Sequence, residues 1–267
     1  TAFLLHDDVM DRGVMRRGQP AARTFLARRH AEEGWYGSSS HYGDACAIGL
    51  GELCQDWAMA LLGSLPAVDG LGRVRDLWHE TNRDTCCGQI LELVAASRRD
   101  YRHEQALLIA HYKNGAYYIA PPLRMGAALA GAGETVDQAF LKAGELLSEG
   151  HQFRNDLLGA FGDGRTRGSF DDLVEGKVTA LLAHAVGEAD DGQRERLLAL
   201  YGREDLDADG AEEIRRILRR TGADKAIEDE IGRRFQQALT ALESVSLTDQ
   251  GREAIVALAR QALYHRY

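Results

Sequence analysis

The sequence predicts an all-α fold, a single large helical bundle, on three observations. Apolar residues recur every three to four positions along most of the chain, alanine, leucine, glutamate and arginine dominate, and only 4 prolines interrupt the pattern. Those residues lose little freedom in a helix, so composition and period point the same way. With 267 residues, 45% of them hydrophobic, the chain can bury a full core.

Amphipathic helical stretches run over about 1–12, 20–32, 41–63, 70–97, 103–119, 122–132, 135–162, 171–188, 191–201, 208–221, 223–243 and 248–264. The first opens in mid-pattern with T-A-F-L-L-H-D-D and only Thr1 as a cap, so upstream helices are expected to precede it. Breaks at Gly34 to Ser40, Pro66 to Gly70, Gly131 to Gly133, Gly162 to Gly168 and Gly202 to Asp209 are short and rich in glycine or small polar residues. Nothing reads as a strand. No linker is long enough to separate domains and no repeat appears, so one domain over residues 1–267 is expected.

A net charge of -9 argues against nucleic acid as a partner. No apolar run approaches the roughly 20 residues of a membrane span and no basic-then-apolar leader opens the chain, so a cytoplasmic protein is expected. Cys46, Cys54, Cys86 and Cys87 lack zinc-ligand spacing and read as reduced thiols.

Asp7, Asp8 and Asp11 form D-D-V-M-D, with Asp7 and Asp11 one helical turn apart, about 6 Å along the axis. Carboxylates so placed can bracket divalent cations, because magnesium completes its octahedron with water and substrate phosphate and needs only one or two carboxylates. The alternative is a solvated acidic face. Arg12, Arg16 and Arg17 follow at once, and guanidinium groups grip phosphate oxygens bidentately. Acid then base suits metal plus diphosphate, although the arginines could simply pair the aspartates. A second acidic stretch, H-Q-F-R-N-D-L-L-G-A-F-G-D, offers oxygens from Asn155, Asp156 and Asp163, with Gly159 as a gap on the same stripe. Lys113 and Lys177 stand in Y-K-N-G-A-Y and E-G-K-V-T; either alone would be an ordinary surface lysine.

Together with R-R-G-Q-P-A, G-E-L-C and G-Q-I-L-E-L, these motifs in this order resemble the trans-isoprenyl diphosphate synthases, or polyprenyl synthetases, from residue 1 to about 190. The resemblance implies an all-α bundle around a central cavity, two aspartate-rich motifs facing each other across its mouth, and a homodimer. It implies Mg2+ as cofactor, three ions, with an allylic diphosphate and isopentenyl diphosphate as substrates. By position, Asp7, Asp8 and Asp11 form the first metal motif, and Asn155 and Asp156 begin the second. Arg16 and Arg17 match basic residues near the diphosphates, Lys113, Gln152 and Lys177 match residues touching diphosphate oxygens, and Gln89 matches a polar residue lining the cavity. Phe3, one turn before Asp7, is placed to floor the product tunnel, giving a farnesyl- or geranylgeranyl-sized product; a plain core phenylalanine is the alternative.

Departures are specific. Asn155 stands where the family has aspartate, Gly159 where many members have a third carboxylate, Asn114 where threonine is usual, His151 where an apolar residue is usual, and Glu52 where aspartate is usual. The loop at 164–169 is short and lacks the family's lysine, with Arg165 or Arg167 as available substitutes. Two other readings therefore stay open: a class I terpene cyclase, whose asparagine-led metal motif Asn155 resembles, and a degenerate non-catalytic partner subunit.

Overall fold

The computed structural model describes residues 1–162 and 170–264, and the chain forms two compact units, one from Thr1–Pro66 and one from Ala67–Phe161 with Asp172 onward. The expected helices are present nearly residue for residue. In the first unit, α1 (Ala2–Met10), α2 (Ala22–Glu32) and α3 (Ser39–Gly63) pack on one another. Ser38 caps α3 by accepting the His41 N–H at 3.3 Å.

Between α1 and α2 the expectation of no strand fails locally. Met15–Arg16 and Gln19–Pro20 pair as a two-residue antiparallel hairpin, β1 and β2. Its loop residues Arg17 and Gly18 both take left-handed backbone, at φ 53° and 75°. Two consecutive positive φ angles are what the tight, strand-matched hairpin turn requires.

Among the described residues α3 is the one helix long and apolar enough, by length and composition alone, to cross a bilayer, an exception to the expectation that no such run exists. Asp44, Glu52 and Asp56 lie within it, and such charges are expensive in hydrocarbon. Its Leu50, Leu53, Trp57 and Leu61 form an exposed stripe at helical spacing.

The second unit is organised by α7 (Glu134–Phe161). Its Phe140, Ala143, Leu147, Phe153 and Leu157 repeat every three to six residues and are buried. Alongside run α6 (Ala120–Leu129), α12 (Ala223–Glu243) and α13 (Asp249–Tyr264). Ile227, Ile231, Phe235 and Ala238 of α12 are buried too, and each full burial of a large apolar side chain contributes about 1.5–3 kcal/mol. Before α7 come α4 (Leu71–Arg98) and α5 (His103–Ala110); after it come α8 (Asp171–Glu175), α9 (Ala180–Glu188), α10 (Asp191–Leu200) and α11 (Ala208–Arg220).

Two expected helices break. The stretch 103–119 leaves α-geometry at a π-helical turn, His111–Gly115, where the Ala116 N–H reaches back five residues to the His111 carbonyl at 2.8 Å. Such single turns occur mostly at functional sites. The stretch 171–188 stops at Gly176, whose φ of +68° ends α8, and restarts at Thr179, which accepts the Leu182 N–H at 3.1 Å.

Candidate active site

The residues singled out by sequence fall in two groups, one in each unit. In the first unit, Asp7 and Asp8 occupy the last turn of α1, and Asp11 caps it with its N–H on the Asp7 carbonyl at 2.8 Å. Asp8 is buried at 4% exposure. Three carboxylates at a helix C-terminus sit at the negative pole of the helix dipole, an arrangement that is costly without a cation. The hairpin supplies one. Arg16 donates from Nη2 to Asp7 Oδ2 at 2.9 Å and to Asp8 Oδ1 at 2.5 Å, and from Nε to Asp8 Oδ1 at 3.0 Å. Burial works against its charge, yet the bonds and charges of Asp8 and Asp7 hold its pKa above the usual value. Arg12 and Arg17 are exposed, and Phe3 is half-buried one turn before Asp7.

In the second unit, α7 carries His151, Gln152, Asn155, Asp156 and Gly159. Gln152 donates from Nε2 to Asp156 Oδ1 at 2.5 Å and accepts at Oε1 from Asn114 Nδ2, which ties the π turn to α7. Asn155 meets His151 one turn back, Nδ2 to Nε2 at 3.2 Å. Burial, and next the charge of Asp172, push the Asp156 carboxyl up to about 8, so near neutral pH it keeps a proton unless a cation shares its surroundings.

Asp172 itself was missed as a candidate, although it stands only five residues before Lys177. It is 5% exposed, and its carboxylate fills the space over Gly159: a Cβ there would lie 1.6 Å from Asp172 Oδ2. Lys177 lies 3.4 Å from Asp172 Oδ1 and 2.7 Å from Glu175 Oε2. Tyr201 donates to the Lys177 carbonyl at 2.8 Å and fixes its backbone. Asp156, Asp172, Thr179 and Tyr201 line one small cavity among leucines.

Lys113, on the π turn, donates to buried Glu92 of α4 at 2.5 Å. The turn comes that close because position 88 of α4 is glycine; a Cβ there would lie 2.2 Å from the Lys113 backbone nitrogen. The neighbouring Gln89 keeps its amide nitrogen buried with no hydrogen-bond partner among the described residues. Asp163, Arg165 and Arg167 lie outside the described residues.

Among the described residues no three His, Cys, Asp or Glu side chains converge as a ready-made cage. Magnesium fits the donors present all the same. They are hard carboxylate and amide oxygens, one or two of which suffice beside water and phosphate. Softer metals would want sulfur or imidazole ligands.

Comparison with known proteins gives three kinds of match. The polyprenyl synthetase family model matches residues 1–218. Over 187 residues the chain is 29% identical to the geranylgeranyl diphosphate synthase of Methanosarcina mazei, covering 68% of this chain but 52% of that one. The chain therefore spans about half the length of that curated relative. A monoterpene synthase of Artemisia spiciformis is 28% identical over 256 residues, 92% of this chain and 60% of its own. Among solved structures, geranylgeranyl pyrophosphate synthase from Corynebacterium glutamicum, in complex with isoprenyl diphosphate and magnesium, superposes with a TM-score of 0.95 at 31% identity, covering 99% of this chain and 76% of its own.

Proposed function

The chain belongs to the polyprenyl synthetase family, and from that premise we propose that it is a Mg2+-dependent prenyltransferase. It condenses an allylic diphosphate with isopentenyl diphosphate to a trans-prenyl diphosphate of farnesyl or geranylgeranyl size. The observation that carries the reading is the gathering of Asp7, Asp8 and Asp11 at the negative end of α1, where the Arg16 fork pairs Asp7 and Asp8 and so supplies the positive charge that such a cluster calls for.

Magnesium, when bound, draws charge from the leaving diphosphate and so eases rupture of the allylic carbon–oxygen bond. Asp7, Asp8 and Asp11 hold it in the first unit, and Asn155 and Asp156 in the second. Lys113 and Lys177 hydrogen-bond diphosphate oxygens; in the free protein Lys113 pairs with Glu92, and Lys177 with Glu175 and Asp172. Arg16 and Arg17 bind phosphate, and Gln89, Asn114 and Gln152 complete the polar contacts. Apolar surroundings hold water away from the allylic cation, the double bond of isopentenyl diphosphate attacks it, and the released diphosphate takes the proton. Phe3 limits chain length. The exposed Leu50, Leu53, Trp57 and Leu61 stripe of α3 supports a homodimer, since a contiguous apolar face of this kind normally meets a partner. Trp57→Asp with Leu61→Asp should then halve the mass in analytical ultracentrifugation.

A second reading, terpene cyclisation, draws support from Asn155 and from the likeness to a monoterpene synthase. One assay separates them. Protein, Mg2+ and geranyl or farnesyl diphosphate are incubated with and without isopentenyl diphosphate, and aqueous and hexane phases are examined. Longer diphosphates that require isopentenyl diphosphate support the synthase. Hydrocarbon formed without it replaces that reading with the cyclase, and silence relieved only by an active homologue points to a partner subunit.

A further inference from the structure

We infer that His151 is a positioning residue that turns the side-chain amide of Asn155 so that its oxygen, not its nitrogen, is left for a cation. The inference rests on the reading of Asn155 as a magnesium ligand and concerns how that ligand is kept usable. The imidazole is held from three sides. Its Nδ1 lies 2.8 Å from the Ala262 carbonyl oxygen on α13, its face stacks on Tyr118 with centroids 4.2 Å apart and planes 15° from parallel, and its Nε2 lies 3.2 Å from Asn155 Nδ2.

A carbonyl oxygen only accepts, so Nδ1 carries the proton. In the neutral ring Nε2 is then a lone pair, and of the two ends of the Asn155 amide only the NH2 can satisfy it. That choice commits Nδ2 to the histidine and leaves Oδ1 at the opposite end of the amide. Magnesium accepts the oxygen and not the amide nitrogen. An aspartate needs no such help, because both its ends are ligands. An asparagine has a wrong end, and its terminal torsion is broad and roughly two-fold, so without a fixed neighbour it would often present NH2 to the metal.

The two departures at 151 and 155 thus form one device. Asn155→Asp in the native background would set a carboxylate, an acceptor, against the Nε2 acceptor. Two acceptors at that distance repel, so the carboxylate and the ring must displace one another.

The test uses the full chain and Mn2+ as a magnesium surrogate, with inorganic pyrophosphate present, and reads bound Mn2+ by electron paramagnetic resonance beside thermal stability. His151→Leu should weaken the affected Mn2+ by about tenfold, the lower end of what loss of a supporting partner costs a metal site. His151→Gln keeps an acceptor near Nε2 and should stay within about twofold of the parent, since the amide keeps its orientation. Asn155→Asp alone should gain little, whereas His151→Leu with Asn155→Asp should regain parental affinity. The inference is overturned if His151→Leu binds Mn2+ like the parent while Asn155→Ala does not, or if a folded double variant fails to recover. Parental affinity in Asn155→Ala would instead overturn the ligand reading beneath it.

Discussion

Restoring the carboxylate that position 159 lacks should damage the protein. A Cβ on Gly159 would lie 1.6 Å from Asp172 Oδ2, 2.5 Å from its Cγ and 3.1 Å from its Cβ, so the whole Asp172 side chain must move. It has little room, being 5% exposed with Lys177 3.4 Å away. Gly159→Ala gains about 1 kcal/mol of helix propensity. Against that stand about 1–3 kcal/mol for overpacking and up to about 3–5 kcal/mol if the buried Asp172 and Lys177 pair is broken. Overpacking less the propensity gain leaves a net loss of about 0–2 kcal/mol, rising to about 3–7 kcal/mol if the pair breaks, which at roughly 2–4 °C per kcal/mol lowers Tm by about 6–28 °C. Gly159→Asp should be worse, because it adds a third acid beside Asp156 and Asp172. Adding Asp172→Ala to Gly159→Asp should recover part of the loss, by vacating the space and removing one charge. Scanning calorimetry and turnover on all three variants make the comparison. A Gly159→Asp protein as stable as the parent and faster would refute the claim that Asp172 fills that volume.

Asp7→Ala or Asp11→Ala should lower turnover by about 10²–10³-fold, the usual loss when one charge-stabilising contact is removed; near-parental turnover would end the metal assignment, as would activity that survives a chelator. Gly88→Ala would press a Cβ to 2.2 Å from the Lys113 nitrogen and 2.5 Å from the Tyr112 carbonyl carbon, which are backbone atoms that no rotamer change relieves. It should cost about 3 kcal/mol, at the upper end for overpacking, and raise KM for the diphosphate, both measurable on the purified variant. The bond of His111 to Glu149 at 3.3 Å raises the histidine pKa, so its stabilisation is full below the ordinary value of about 6.5 and is lost as pH rises through the raised one. Thermal stability should therefore fall slightly as pH rises above about 6.5, and His111→Gln should flatten that slope.

The helices were legible because their signal is local: a repeated apolar face, and glycine or small polar residues at the breaks. The acidic end of α1 was legible for the same reason, since Asp7, Asp8 and Asp11 are neighbours both in sequence and in space. The hairpin was not, because strands of two residues have no alternation to read; only the Arg17-Gly18 turn announced it. Nor did any periodicity announce the π turn, which exists because α4 offers a bare backbone at Gly88. Contacts between distant segments stayed hidden altogether. Glu92 with Lys113, Asp172 over Gly159 and His151 on Ala262 join residues 21, 13 and 111 positions apart, and only the packed helices bring them together.

Those hidden contacts change how the departures from the family pattern weigh. A metal site that has lost its purpose sheds ligands and supports independently, leaving gaps. Here the departures at 114, 151, 155 and 159 each have a counterpart. The charge missing at Asn155 goes with a histidine that orients its amide. The side chain missing at Gly159 goes with a carboxylate from α8 in the same volume. Asn114, in the place of a threonine, bonds Gln152, which bonds Asp156. Four positions, each met by a neighbour of matching shape or polarity, leave a packed and hydrogen-bonded cluster without gaps. On the proposed assignment position 155 supplies one formal charge fewer than an aspartate would, so Asp7 and Asp11 should be less tolerant of substitution than Asn155.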